Sequence, residues 1–526
     1  MRPSLPHRRP RLAPGGRVRL RDTAFGLASV LILFAPRTAL ATDAEVTSDT
    51  AAQFYDVRSP TGENVLNRRR LTTTLAVSAY NLLDAPAGDP SAPTLSFRAR
   101  FRYDADFGVG SGAVDPTNFG SFVPGTSQGM VDMMYAYVEG RRFLHGWLGF
   151  RLGRQYVTDA LGWWSFDGGQ VTVTTPFLVK AEAYGGFEQR GGMPLSTSRF
   201  EGDGVWRGDR SNFDPSLAPA FQPAALAPAF GVALESTGLT WIHGRLTYRR
   251  VYDTGASNVT EFASGTYAPA AYDGARISSE KIGYAMDANF YTFGGVKAGI
   301  VYDLYSAEMT NLYATVDAYA GKKVTISADY DYYVPTYDAD SIWNFFAGEP
   351  MNDAGLRANV NVTDRLSVSG GGHVRLFEVQ TGPIDPANVG TYPPYTNYAP
   401  GQSVYPTNGH PFDEGGNLSA RWRTGETLVT LRGSGNWGGE GDRAGADIAA
   451  QRVFDTRYVA SVRTGVWQWN DKLEPDRSTT SFNYVLGLGY RFAPRSQALV
   501  EWENDMNGLV GQRYRLMLWL TLAVTK

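Results

Sequence analysis

The most regular feature of the sequence is a two-residue alternation of apolar and polar side chains. In residues 94–104 the odd positions carry leucine, alanine and aromatic residues, and the even positions carry threonine, serine, three arginines and an aspartate. Successive side chains of a β-strand point to opposite faces of a sheet, so this stretch predicts a strand with one apolar and one charged face. A half-buried strand of a soluble protein also alternates in this way. One such strand therefore does not identify the class of protein, and what matters is whether the alternation recurs along the chain.

The alternation returns along the whole chain and ends in residues 513–524, where leucines fill one face. The predicted strands are joined by connections that alternate in length. The short ones are residues 236–238, 292–294, 321–322, 363–365, 424–426, 455–456 and 493–495, and the longer ones are 254–278, 334–352, 380–414, 438–444 and 470–479. Short turns on one rim and long loops on the other are typical of outer-membrane β-barrels, whose strands turn apolar side chains to lipid and polar ones to a wet interior.

The number of strands follows from parity. Counting from residues 70–82 gives roughly 21 strands, and adding a short first strand at residues 53–59 gives about 22, with 18 or 20 also open. Both ends of such a barrel lie on the periplasmic side, which requires an even number. The sequence therefore predicts an all-β protein, a transmembrane antiparallel barrel formed by residues 42–526, with short periplasmic turns and long extracellular loops.

The first 41 residues have a different pattern. An arginine-rich start is followed by an apolar stretch at residues 23–35 and by Ala39-Leu40-Ala41, the arrangement of a cleavable secretory signal peptide. A membrane anchor is the alternative, but the apolar stretch is short for a spanning helix, which needs about 20 residues.

Composition narrows the class of protein. The 526 residues carry a formal net charge of −3 and contain no cysteine, which gives no reason to expect nucleic acid as a partner and excludes disulfides and thiolate metal sites. Glycine (59), tyrosine (29), phenylalanine (27) and tryptophan (12) are numerous. With a mean hydropathy of −0.27, this composition suits two-faced strands better than membrane helices.

Strand parity also predicts which polar side chains face the interior of the barrel. We expect a basic ladder early in the chain and an acidic cluster near its middle, on walls that approach opposite sides, so that a transverse electric field crosses the interior. The alternative is that these charges are only solvated or paired. The candidate pore-lining residues are Arg98, Arg100, Arg102, Arg151, Gln155, Lys180, His243, Arg245, Arg249, Lys297, Asp303, Asp317, Asp329, Asp331, Arg375, Arg421 and Arg423.

Other residues suggest an interface rather than chemistry. Six tryptophans near predicted strand ends are candidates for an aromatic girdle at the membrane surface: Trp163, Trp164, Trp437, Trp467, Trp469 and Trp502. The sequence contains no HExxH zinc motif and no GxSxG nucleophile elbow, so we expect neither an enzyme nor a bound cofactor or metal. Asp338 and Asp340 could bind Ca²⁺ in a loop, although their spacing is not that of an EF-hand.

Three tripeptides carry a resemblance to a known family. Residues 153–155 (GRQ), 162–164 (GWW) and 166–168 (FDG) resemble a strand end, an aromatic loop and the next strand's start in the alginate-export family of outer-membrane porins. The resemblance implies a monomeric large barrel with an arginine-rich conduit. The sequence departs from the family's pattern in two ways. Strand parity places Arg154 on the outer face, and the last residue is Lys526, where many such barrels have an aromatic residue.

These observations predict an outer-membrane porin of a Gram-negative bacterium that passes small hydrophilic solutes, anionic ones among them. The alternatives are a substrate-specific channel for export or uptake of a polysaccharide, and a structural or adhesive barrel. Residues 188–228 or 380–414 could fold inward and narrow the path. The expected partners are the lipid bilayer, small polar or anionic solutes and the outer-membrane assembly machinery.

Overall fold

The structure is a computed structural model of the chain. The predicted signal peptide, most of the two loops proposed to fold inward, and Asp338 and Asp340 lie outside the residues that it describes. The described residues are 43–84, 86, 89, 91–106, 131–189, 227–254, 260–263, 266–269, 275–334, 350–377, 412–438, 441–472 and 475–525.

The described chain is almost entirely β-strand. None of the described residues forms a helix long and apolar enough to span a membrane. The strands are β1 Asp43–Arg58, β2 Asn64–Tyr80, β3 Thr94–Asp106, β4 Val131–Phe143, β5 Leu148–Asp159, β6 Gly162–Thr174, β7 Val179–Glu188, β8 Pro228–Ser236, β9 Ile242–Asp253, β10 Thr260–Ala263, β11 Thr266–Pro269, β12 Arg276–Asn289, β13 Gly294–Asp303, β14 Glu308–Ala320, β15 Val324–Tyr333, β16 Met351–Asn361, β17 Leu366–Phe377, β18 Phe412–Thr424, β19 Thr427–Gly438, β20 Gly441–Phe454, β21 Tyr458–Asp471, β22 Thr479–Ala493, β23 Ser496–Asn507 and β24 Gly511–Thr525.

All of these strands except the hairpin β10–β11 belong to one closed sheet of 22 strands. Each strand pairs antiparallel with the next, and β24 returns to pair with β1 from Glu45↔Thr525 to Arg58↔Gln512. Closure satisfies the backbone N–H and C=O groups between strands and leaves no sheet edge, which is the condition for strands to cross a bilayer. The predicted all-β fold and the count of about 22 strands are therefore confirmed.

The first strand is longer than the pattern indicated. It begins at Asp43, whereas the prediction began at residue 53. The outward positions in its first half are Val46, Ser48, Thr50 and Ala52, which are small or weakly polar. Their contrast with the inward positions is therefore too low for the alternation to be visible in the sequence.

The two rims differ in connection length, although less strictly than predicted. On the rim that holds both chain ends, the connections are two to five residues long, apart from residues 81–93, which are the long exception. On the other rim, some connections are long, but residues 160–161 form a tight turn, and β20 begins only three residues after β19 ends at Gly438. The predicted long connection at 438–444 is thus wrong, because β20 already begins at Gly441.

The register assigns every side chain to one of two faces of the wall. One face exposes large apolar side chains, among them Leu152 (54%), Leu418 (62%) and Leu488 (69%). On the opposite face, ion pairs join side chains that are two strands apart, such as Arg100 with Asp49 and Arg245 with Glu182. Side chains converge on the concave side of a curved sheet, so this second face is the inner one.

A row of glycines crosses three adjacent strands on the inner face. Gly153 of β5 is opposite Gly168 of β6, which is opposite Gly186 of β7. A Cβ atom on Gly153 would lie 2.2 Å from the Ala136 carbonyl oxygen, and one on Gly168 would lie 2.1 Å from the Gly185 carbonyl oxygen. Gly153 also has a φ of 126°, which residues with a side chain rarely adopt. The row therefore forms a crease at which neighbouring backbones approach closely.

This crease predicts an asymmetric effect of two neighbouring alanine substitutions. Gly168→Ala should destabilise the barrel by about 1–3 kcal/mol, because the new methyl group meets backbone that must shift. Gly185→Ala should be nearly neutral, since its Cβ would lie 3.5 Å from the nearest backbone oxygen, at ordinary contact distance.

The measurement is the urea concentration at which half of the refolded protein in detergent is unfolded. The folded fraction at each urea concentration is read from heat-modifiable mobility on gels. Equal midpoints for the two variants would contradict the close backbone approach at the crease.

Candidate functional site

The inner face collects the charged residues that the sequence singled out. The strand-to-strand register places all of the candidate pore-lining residues on this face, from Arg98 on β3 to Arg423 on β18. The register also gives inner positions to carboxylates that sequence reasoning did not list among the candidates. Glu139, Glu235 and Asp353 lie on inner positions of their strands, and strand parity alone would have found them.

The basic ladder stands on the inner face of β3. The Arg98 guanidinium lies 5.3 Å from the centre of the Tyr80 ring. The Arg100 Nη2 atom donates to Thr74 Oγ1 at 3.0 Å and is 3.4 Å from the Asp49 carboxylate. Arg102 is only 4% exposed. The three guanidinium groups are thus held against the wall at successive inner positions of one strand.

Strands β7, β8 and β9 carry a compact ionic network. Arg245 donates to Glu182 and to Glu235, each at 2.6 Å. Lys180 lies 2.5 Å from Glu235 and 3.2 Å from Glu182. His243 Nε2 is 3.0 Å from Glu235. Opposite charges at these distances neutralise one another, so this part of the wall contributes little net field.

The acidic cluster lies on β14, β15 and β16. Asp331 is directly opposite Asp353 in the register. The Arg375 side chain binds Asp353 through two nitrogens, at 2.8 and 3.0 Å. The closest atoms of Arg357 and Asp329 are 3.9 Å apart. Asp353 is therefore closely neutralised, whereas among the described residues the cation nearest to Asp329 is Arg357, at the long distance given above.

The ladder and the acidic cluster lie almost opposite each other. Around the ring of 22 barrel strands, β3 and β15 are ten strand steps apart in one direction and twelve in the other. This agrees with the predicted placement on opposing walls. The transverse field itself stays a prediction.

The extracellular half of the β5–β6 hairpin leans over the inner face beyond the glycine crease. The Arg249 Nη2 atom on β9 donates to the Leu161 carbonyl oxygen in the hairpin turn at 3.1 Å, and its guanidinium lies 5.1 Å from the centre of the Trp164 ring. Phe166 is fully buried against Trp164 and Tyr184. The hairpin therefore reaches across β7 and β8 to β9.

This hairpin corrects one expectation and agrees with another. The GWW segment is not a loop, because Gly162 begins β6. Arg154 does lie on the outer face, where it binds Asp167 through two nitrogens at 2.7 and 2.8 Å. The sequence predicts a constriction by residues 188–228 or 380–414, most of which lie outside the described residues and stay a prediction, and the inward element that the described residues do show is a hairpin with a tight turn. The sequence signal that could have indicated this hairpin is the pair Gly153 and Gly168, which flank its inward half.

Only part of the predicted tryptophan girdle agrees with the structure. Trp163, Trp437 and Trp502 lie on outward positions, but only Trp163 and Trp437 are near strand ends as expected, whereas Trp502 lies midway along β23. The other three lie on inner positions, since parity rather than nearness to a strand end fixes the face. The inward tryptophans are Trp164, Trp467 and Trp469.

Among the described residues, no group of three or more His, Asp or Glu side chains could hold a metal ion. No protein-family profile matches the chain, and no curated protein sequence matches it. The resemblance to the alginate-export family accordingly remains a prediction.

Solved structures of outer-membrane barrels resemble the chain at a low level. OccAB4 of Acinetobacter baumannii aligns over 92% of this chain and 98% of its own, with 10% identity and a TM-score of 0.42. OpdK of Pseudomonas aeruginosa, solved with vanillate, aligns over 92% and 99%, with 8% identity and a TM-score of 0.39. Because these TM-scores are below 0.5, the barrel is assigned from its own strand pairing.

The position of the hairpin predicts a specific cross-link. The Ala160 Cβ atom is 3.2 Å from the place where a side chain on Gly283 of β12 would begin, close to the Cβ separation of a disulfide, about 3.5–4.5 Å. We expect Ala160→Cys with Gly283→Cys to form a disulfide on mild oxidation, which non-reducing gels and mass spectrometry of the digested protein would detect.

The matched control is Ala160→Cys with Gly465→Cys, because Gly465 is an inner position on the far strand β21. The chain contains no cysteine, so no native thiol competes. An uncross-linked first pair, or equal cross-linking of both pairs, would contradict the inward hairpin.

Proposed function

We propose that the chain is an outer-membrane channel of a Gram-negative bacterium that conducts small hydrophilic solutes, anionic ones among them. The observation that carries the proposal is a closed barrel of 22 strands with an apolar outer face and a charged inner face. Exposed leucine and valine side chains are stable in lipid and costly in water. Guanidinium and carboxylate groups require water or one another.

The width of the barrel supports a water-filled interior. Strands about 4.8 Å apart and tilted by about 40° close a 22-stranded barrel at a backbone diameter of roughly 40 Å. Side chains on the wall cannot fill a space of that width. The β5–β6 hairpin narrows one side of it, and in the proposed channel it forms part of the constriction.

The inner charges support a preference for anionic solutes along one wall. The guanidinium groups of Arg98, Arg100 and Arg102 repeat along β3 at successive inner positions. The long contact of Arg100 to Asp49, at 3.4 Å, differs from the close pairs of the β7–β9 network. A carboxylate or phosphate moving along this wall would exchange hydrogen bonds from one guanidinium to the next. The proposal includes insertion by the outer-membrane assembly machinery, which closed barrels of this kind require.

Removing the ladder tests the proposal. The triple change of Arg98, Arg100 and Arg102 to Ala should shift the reversal potential in a salt gradient toward cations and should change the single-channel conductance, because three positive charges leave the wall. The measurement is planar-bilayer recording of the refolded protein with matched wild type.

The opposite wall provides the control. Asp329→Asn with Asp331→Asn should move the reversal potential in the other direction, since it removes negative charge. A wild-type barrel that never conducts would overturn the channel, whereas a conducting barrel with unchanged selectivity in both variants would overturn the charged path.

A further inference from the structure

Four neighbouring turns on the rim that holds both chain ends carry large apolar side chains and no lysine, arginine, aspartate or glutamate. They are residues 144–147, 175–178, 237–241 and 290–293, which join β4–β5, β6–β7, β8–β9 and β12–β13. Phe177 is 82% exposed, Phe293 80% and Leu144 70%. The same turns expose Trp147, Leu178, Leu239, Trp241, Phe290 and Tyr291. We call these four turns the apolar ledge.

Hydrogen bonds join each part of the ledge to the next. Three backbone N–H groups donate to turn carbonyl oxygens: Thr174 to Trp147 at 2.8 Å, Thr237 to Leu178 at 2.7 Å and Asn289 to Trp241 at 2.7 Å. The Tyr291 hydroxyl also donates to Thr240 Oγ1 in the neighbouring turn at 3.2 Å. The ledge is therefore one continuous surface along eight adjacent strands of the ring.

The other short turns of this rim have the opposite character. Each contains at least one charged side chain, and they are residues 321–323, 362–365, 425–426, 455–457 and 494–495. The turn at 455–457 joins β20 to β21, which lie eleven strand steps around the ring from β7 and β8 at the centre of the ledge. The rim thus has an apolar arc and, opposite it, a charged arc.

Strand length differs between the two arcs in the same sense. At the centre of the ledge, β7 has 10 residues and β8 has 9. Opposite them, β20 and β21 have 14 residues each. A strand needs about 9–11 tilted residues to cross the hydrocarbon. Strands β7 and β8 have no residue to spare, so their turns must lie at the edge of the hydrocarbon, whereas β20 and β21 can extend beyond it.

The ledge is also continuous with the apolar outer wall of the barrel. Val173 and Val179 lie on outward positions on either side of residues 175–178, and Leu148 and Ile242 lie on outward positions next to two other ledge turns. No charged side chain separates the wall from the ledge at these positions. Exposed apolar surface of this extent marks contact with a protein or a membrane, and this continuity favours the lipid that covers the wall.

We propose that the apolar ledge inserts into the periplasmic leaflet of the outer membrane, while the charged turns opposite it stay in the periplasm. The barrel axis is then tilted from the membrane normal, because one side of the rim lies within the bilayer and the other side lies beyond it. Aromatic rings at the ledge suit the boundary between acyl chains and headgroups. The inference rests on the proposed function, because it requires this rim to be the periplasmic one.

The test places a nitroxide spin label at single cysteines in the full barrel, reconstituted in phosphatidylcholine vesicles. The ledge variants are Phe177→Cys and Phe293→Cys, and the matched controls are Glu426→Cys and Asp455→Cys, which are exposed positions of the charged arc. The chain has no native cysteine, so each label occupies one site. Electron paramagnetic resonance measures collisions with oxygen, which concentrates in hydrocarbon, and with a nickel chelate, which stays in water.

We expect the ratio of oxygen to chelate collisions to be several-fold higher at both ledge positions than at both control positions. Heat-modifiable mobility checks that each variant folds, and the chelate is present on both sides of the membrane. Equal ratios at all four positions would overturn the inserted ledge. Ledge labels that are shielded from both reagents would also overturn it, because a second copy of the chain or another protein would then cover the surface.

Planar-bilayer conductance of unlabelled wild type tests the channel separately. A conducting barrel with water-exposed ledge labels would overturn only the ledge. A barrel that never conducts but has lipid-exposed ledge labels would overturn only the channel.

Discussion

The structure depends on the pairing of its last strand with its first. Residues 45–58 of β1 align with residues 512–525 of β24 without a shift in register. Without this pairing both strands would present a row of unpaired N–H and C=O groups, each costing several kcal/mol in hydrocarbon. Closure of the sheet therefore permits all of the remaining strands to face lipid as well. It also explains why β1 extends back beyond residue 53 to Glu45, since β24 needs a partner along its whole length.

Closure also divides the side chains into two environments. Each strand contributes alternately to an outer face that is mostly apolar and to an inner face that holds most of the charge. The outward ion pairs of Arg154 with Asp167 and of Arg250 with Glu280 are compatible with this division, because each guanidinium has a close carboxylate partner. On the inner face the ionic groups differ in how fully they are paired, from the close Arg245 network to the longer contacts of Arg100. These differences, rather than the number of charges, set the field inside.

The barrel and its inner residues could be predicted because both follow from a period of two. Parity assigned Arg98 and Asp331 to one face correctly, although they are on distant strands. Parity cannot predict the inward hairpin, since a crease depends on close backbone approach at Gly153 and Gly168 in neighbouring strands. Nor does it give the partners of Arg249, which lie across β7 and β8 from it. The misassigned tryptophans show the same limit, because nearness to a strand end does not determine the face.

The most direct test of the two-faced wall uses the absence of native cysteine. Single cysteines would replace each residue of β24 in turn from Leu516 to Leu522, and a membrane-impermeant thiol reagent would be applied to the reconstituted protein. The account predicts rapid labelling at Met517, Trp519 and Thr521, which face inward, and protection at the leucine positions between them. Labelling without this alternation, or with the opposite parity, would contradict it.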